Sequence, residues 1–177
     1  MNNVKSGIYS DTANCALEEP LEFTVMKEII SRNMTVATAE SCTGGMVSAR
    51  LINYPGASEA FVNGMVTYTN ESKHRLLGVR NDTLDKYGAV SPQTAEEMCI
   101  GVAKVSGTDI GLSTTGIAGP GGGSAEKPVG LVYIGVAVKG RATVEKLLLK
   151  GSRQEIRTAS AKAVIELLGQ VLENLED

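Results

Sequence analysis

The stretch "MTVATAESCTGGMVSARL", residues 34–51, carries the fold class in one line. "MTVATAE" has the composition of a short buried strand, and Met46, Val47, Arg50 and Leu51 recur at helical spacing before Pro55 and Gly56 end the run. Between them lies the turn Ser41-Cys42-Thr43-Gly44-Gly45. A strand feeding a helix through a glycine turn is the unit of a layered α/β domain. Such a turn also delivers side chains to the carboxyl edge of a sheet, where ligands of these folds bind.

The same alternation extends outward in both directions. Upstream, Leu21, Val25, Met26, Ile29 and Ile30 form one helical face, while residues 1–19 are polar, non-periodic and read as a loose extension. Downstream, "EAFVNGMVTYT" reads as a hairpin turning at Asn63-Gly64 or, given its short flanks, as a single strand with a glycine bulge. "NESKHRLLGV" follows as a brief helix. Ser91 and Pro92 are an N-cap and a first helical residue, and Ala95, Met98, Cys99, Val102 and Ala103 give the next apolar stripe. "DIGLSTTG" is a further strand, and "LVYIGVAVKGRATVEKLLLK" gives two more joined at Lys139-Gly140. Ser152 and Glu155 have capping-box spacing at the start of a last helix, whose expected face is Ile156, Ala159, Ala163, Leu167, Val171 and Leu175. Residues 20–177 therefore read as one α/β domain with an antiparallel pair added late.

Composition narrows the function classes. The chain has 177 residues, 42% of them hydrophobic, and a formal charge of -3 with no extended basic cluster. That balance argues against nucleic acid as a partner. Cys15, Cys42 and Cys99 are odd in number and widely spaced, which suits a reducing compartment and neither a disulfide framework nor a zinc site. With one histidine, His74, there is no dedicated metal cage. No signal-like apolar region opens the chain, and no apolar run reaches the roughly 20 residues of a bilayer span. The expectation is a cytoplasmic protein without membrane partner, metal or cofactor, and a homo-oligomer is compatible with everything in the sequence.

Four constellations can carry chemistry. The Ser41–Gly45 turn offers a nucleophile and, at the following helix, free N–H groups for an oxyanion; its bland alternative is a capped turn packed closely on glycine. "GIAGPGGGSAEKPVG" holds six glycines in 15 residues, more than a tight turn needs, and either binds something or is a surface connection. It is no P-loop, because no Gly-Lys-Ser/Thr follows. In "YTNESKHR", Tyr68 ends a strand, and Lys73 and His74 are both candidate bases for Ser41. Neighbours on a helix point about 100° apart, so at most one of them faces the site. Arg153 and Arg157 sit at a helix N-terminus, where the dipole disfavours cations, unless an anion binds there or Glu155 pairs with them.

Taken together, "TAESCTGG", "YTNESKHRLLGV", "GAVSPQTAEEM", "TTGIAGPGGG" and "KPVGLVYIGVA" resemble, in order and spacing, the CinA C-terminal domain family, from about Leu21 to the last helix. Its characterised enzymes are nicotinamide mononucleotide deamidases of the PncC type. The resemblance implies a three-layer α/β/α sandwich with a mixed sheet, and hydrolysis of a nucleotide carboxamide with release of ammonia. It implies a serine nucleophile with tyrosine and lysine partners, here Ser41, Tyr68 and Lys73, and thus Lys73 over His74. Thr115 matches a family active-site threonine. On this reading the N–H groups around Thr43, Gly44 and Gly45 hold the oxyanion. The glycine loop, through Gly116, Ala118 and Gly119, holds the phosphate with Arg153. Longer relatives carry a further N-terminal domain, and this chain resembles the stand-alone form. It has Asn63-Gly64 where family members often have Gly-Gly, and Thr69 where they often have serine. The rival expectation is a non-catalytic nucleotide-binding or regulatory module linked to competence or damage response, which would keep the glycine loops without needing Ser41 and Lys73 together.

Overall fold

The computed structural model describes residues 19–175. The expected extension over residues 1–19 therefore lies, Glu19 apart, outside the described residues, as does Cys15. In chain order the elements are α1 (Leu21–Ser31), β1 (Val36–Glu40), α2 (Met46–Leu51), a 3-10 turn (Ala57–Glu59) and β2 (Phe61–Val66). Then come α3 (Asn70–Leu77), α4 (Asn81–Tyr87), α5 (Pro92–Ser106), β3 (Ile110–Gly116), β4 (Leu131–Val138), β5 (Arg141–Leu148) and α6 (Arg153–Glu173).

The sheet order is β2-β1-β3-β4-β5. β2, β1 and β3 run parallel, and β4 and β5 add antiparallel pairs. The mixed sheet between two helical layers is the architecture expected from the sequence. Strand alternation sorts the two faces. Val36 of β1 joins a large core with α1, α2 and α6, whereas Ala37 and Ala39 face a smaller cluster with Met98 and Val102 of α5. The α5 side is built from small residues so that the helix lies close: a Cβ at Gly111 would come within 2.0 Å of the Cys99 carbonyl oxygen. Cys99 is plain core.

Three local expectations change. "FVNGMV" is one strand, and its register irregularity falls near Val62 opposite Val36/Ala37, not at Gly64. Gly64 is there for proximity, since a Cβ would sit 2.2 Å from Ser48 Oγ. α4 was not expected, because "NDTLDKY" is polar and buries only Thr83 and Leu84. The buried face of α6 is broader than the expected stripe and includes Ser160, Val164, Ile165, Leu168 and Leu172, because the helix is wedged between the sheet and both α1 and α2. Ser160 tolerates burial by donating to Ile156 O at 2.7 Å. The caps at Ser91 and Ser152 form as expected.

Candidate active site

The carboxyl ends of β1, β2 and β3 meet at one place. Ser41 N–H donates to Thr114 O (3.0 Å) and Thr67 N–H donates to Glu40 O (2.8 Å), so the parallel ladders run one residue past the strands and fix both flanks of the site. Thr69 then caps α3 in a reciprocal box with Ser72. Threonine supplies the hydroxyl that the cap needs, as serine would. That start places Lys73 inward, and it is fully buried.

Lys73 Nζ donates to Ser41 Oγ (3.1 Å), Thr67 O (2.8 Å) and Tyr68 O (3.3 Å). All three acceptors are neutral. Burial pushes the Lys73 pKa down to about 8, against a weaker opposite pull from the Cys42 thiol. Burial in turn pushes the Cys42 thiol up to about 11, so it remains protonated and poorly nucleophilic at neutral pH. His74 points elsewhere: it is exposed, and its Nδ1 pairs with Val79 O at 2.8 Å. Of the two candidate bases, the fold brings only Lys73 to Ser41.

The turn itself is held by residues that sequence reasoning passed over. Glu40, the last residue of an entirely buried strand, accepts five hydrogen bonds. They come from Thr43 Oγ1 (2.6 Å), Gly45 N (2.8 Å), Val47 N (3.1 Å), Ser48 N (2.8 Å) and Ser48 Oγ (2.7 Å). Gly44 (φ 60°) and Gly45 (φ 98°) take the left-handed conformations that fold the chain over this carboxylate. From the far side, Arg157 donates through Nε to Cys42 O (3.0 Å) and through Nη2 to Thr43 O (2.8 Å). The signal for Glu40 was available: a carboxylate inside a wholly buried strand requires a dedicated set of donors. Arg157 was noticed only as a charge in an awkward place.

A cavity of about 200 Å³ opens over Ser41 and Lys73. Of the expected residues, Ser41, Tyr68, Lys73, Thr115, Gly116, Ala118 and Arg153 line it, together with Cys42, Ala89 and Val90. Thr43, Gly44 and Gly45 are not on its wall. The Thr43 hydroxyl is spent on Glu40 and Thr114, and the N–H groups of Gly45, Val47 and Ser48 are spent on Glu40. The Glu40 side chain thus takes up part of the N–H groups at the start of α2. Gly119 contributes its carbonyl, which accepts from Arg153 Nη1 (2.8 Å), and Thr115 Oγ1 donates to Ala89 O (2.7 Å). Arg153 and Arg157 pair with no carboxylate among the described residues, since Glu155 accepts instead from Ser152 N and Oγ (both 2.7 Å). A larger depression of about 630 Å³ between α3 and α5 is lined by Arg75, Gln93, Glu96 and Lys104 among others and holds no buried nucleophile, so size does not locate the chemistry here. Among the described residues, no His, Cys, Asp and Glu cluster could hold a metal ion, and no helix is long and apolar enough to cross a membrane.

Comparison with known proteins agrees with this geometry at the level of family. Residues 18–172 match the model of the CinA C-terminal domain. A protein named competence-damage inducible from Clostridium beijerinckii is 54% identical over 152 residues, which are 86% of this chain and 37% of that protein. Its namesake from Clostridium acetobutylicum is 55% identical over 147 residues, 83% of this chain and 36% of that one. The chain thus spans less than two fifths of the length of these curated relatives. Among solved structures, a CinA superfamily protein from Klebsiella pneumoniae superposes with a TM-score of 0.85 at 30% identity, covering 88% of this chain and 97% of that one. The competence/damage inducible protein of Agrobacterium tumefaciens gives 0.81 at 38% identity, covering 90% and 100%.

Proposed function

The chain belongs to the CinA C-terminal domain family, and on that premise we propose that it is a serine amidohydrolase that converts nicotinamide mononucleotide to nicotinate mononucleotide and ammonia. The observation that carries the reading is the buried pair Ser41 Oγ–Lys73 Nζ at 3.1 Å, with no carboxylate on the lysine among the described residues. A pKa of about 8 leaves roughly a tenth of the lysine neutral at pH 7, against about 3 in 10,000 at the ordinary lysine value of 10.5. Neutral Lys73 keeps two N–H donors for Thr67 O and Tyr68 O, and its lone pair then meets the Ser41 hydroxyl. A module that only bound a nucleotide would have no use for a desolvated amine against a serine.

In this mechanism Lys73 takes the Ser41 proton as Oγ bonds to the carboxamide carbon. The tetrahedral intermediate collapses with cleavage of the C–N bond, and the proton on Lys73 leaves with the amine as ammonia. Water, deprotonated by the same lysine, then cleaves the acyl ester, giving the carboxylate and restoring Ser41. Arg153, with its guanidinium at the rim of the cavity and no carboxylate partner among the described residues, takes the phosphate with the Gly116–Gly119 segment, and Thr115 helps to place the ring. A cavity of about 200 Å³ suits the nicotinamide ring, with the remainder of the nucleotide outside toward Arg153. The test is ammonia release from nicotinamide mononucleotide by purified protein. Release that Ser41→Ala abolishes is the expected result; release no faster than that variant's overturns the assignment.

A further inference from the structure

Tyr68 is 60% exposed although it lines the cavity, and its hydroxyl has one partner among the described residues: it accepts from Arg153 Nη2 at 3.2 Å. Arg153 Nη1 is bound to Gly119 O at 2.8 Å. One guanidinium therefore ties the β2–α3 connection, the glycine loop and the start of α6 across the mouth of the cavity. Both of its acceptors are neutral, and it has no carboxylate partner among the described residues. The Tyr68 main chain is anchored separately, through its carbonyl on Lys73 at 3.3 Å. Releasing the phenol from Arg153 would thus free the ring without moving the backbone.

We infer that Arg153 determines specificity through Tyr68: the guanidinium holds the phenol at the rim until an anionic group on the substrate takes its N–H donors and releases the ring toward Ser41. The inference rests on the amidohydrolase reading and adds a condition to it, that the anion switches the site on as well as anchoring the ligand. Exchange is favoured because hydrogen bonds to an anion are roughly twice as strong as those to a neutral phenol or carbonyl. A neutral nucleoside with the same ring enters the same cavity, yet leaves the phenol latched. Its handicap then lies in kcat and not only in KM, as expected when remote binding energy assembles the reacting geometry.

The experiment has two arms. In the first, protein carrying 3-fluorotyrosine is followed by fluorine NMR, with Tyr68→Phe assigning the resonance. Inorganic phosphate should shift the Tyr68 signal in wild type and leave it in place in Arg153→Ala, whose other tyrosine signals report an intact fold. In the second, wild type should turn over nicotinamide mononucleotide with a kcat at least tenfold above that for its dephosphorylated nucleoside. In Arg153→Ala the two kcat values should come within about twofold of each other. A Tyr68 signal indifferent to phosphate in wild type, or equal wild-type kcat for the two substrates with a difference in KM alone, overturns the latch. The two proposals fail separately: ammonia release with an unmoved Tyr68 signal removes the latch and keeps the hydrolase. A phosphate-dependent shift without ammonia release does the reverse.

Discussion

Glu40 and Lys73 are both ionisable, both almost wholly buried, and both adjoin the Ser41 turn, yet their surroundings are opposite. Glu40 is met by five donors, three of them backbone N–H groups, which tie its side chain to the turn. Lys73 is met by three neutral oxygens and, among the described residues, no carboxylate, and its proton is held loosely. Burial alone therefore does not mark a reactive group. What separates anchor from reagent is their partners: the Glu40 oxygens are taken up by donors of the turn, whereas Lys73 is desolvated without a counter-charge among the described residues, which lowers its pKa. One residue keeps the turn in shape so that the other has a fixed target.

The sharpest way to break this contrast is to remove the reagent. Lys73→Ala and Ser41→Ala should each lower kcat by about 10³ or more, some 4 kcal/mol of barrier. Circular dichroism should show the fold retained in both. Cys42→Ala, which removes a protonated thiol, should stay within a few-fold of wild type. If Cys42→Ala is the crippling change and Ser41→Ala is tolerated, the serine assignment falls.

Next in size is the anchor. Glu40→Gln turns one acceptor oxygen into a donor facing donors, so unfolding in urea should show a loss of about 3 kcal/mol, the scale of lost charged hydrogen bonds in a buried site. A midpoint equal to wild type would mean that the turn stands without the carboxylate, and the anchor half of the comparison would go.

The pH dependence sharpens the reagent half. The rate should climb about tenfold per pH unit below pH 8 and level off above it, as the Lys73 base is unmasked. The stability sign follows from the same shift. The folded-state pKa lies below the unfolded value of 10.5, so the penalty is fully present below pH 8, at about 3 kcal/mol, and fades as pH rises toward 10.5. Plotted against Lys73→Met, whose side chain does not titrate, wild-type stability should gain over that window. A flat difference would place the lysine pKa at its ordinary value.

The smallest effect belongs to His74. Its ring closes the end of α3 on Val79 O, so His74→Gln should leave the rate within about twofold at every pH and lower stability by about 1 kcal/mol. A rate limb centred near pH 6.5 that vanishes in this variant would make His74 the base after all.

Much of this was legible in the sequence because strand, turn and helix were consecutive: residues 34–51 carry period, glycines and hydroxyls in one line. The late hairpin at Lys139-Gly140 and the caps at Ser91 and Ser152 were readable for the same local reason. What stayed hidden depends on partners distant in the chain. Arg157 meets carbonyls at Cys42 and Thr43, and Arg153 meets Tyr68 and Gly119; neither spacing announces itself. Of the N–H groups expected to hold an oxyanion, that of Gly45 donates to Glu40, a strand residue five positions earlier, and no local period announces that contact. α4 was missed because a seven-residue polar helix has no face long enough to show a period.

The clamp from Arg157 onto the carbonyls of Cys42 and Thr43 spans 115 and 114 positions of sequence. On the ribosome, at about 5–20 residues per second, the Ser41 turn leaves the exit tunnel several seconds before the arginine that steadies it. Through that interval the nascent chain displays Ser41 and Lys73 without the grip that fixes their alignment. Synthesis order alone therefore delays the clamp until α6 docks, and a polypeptide halted short of residue 153 carries Ser41 and Lys73 without the arginine that grips the turn beside them.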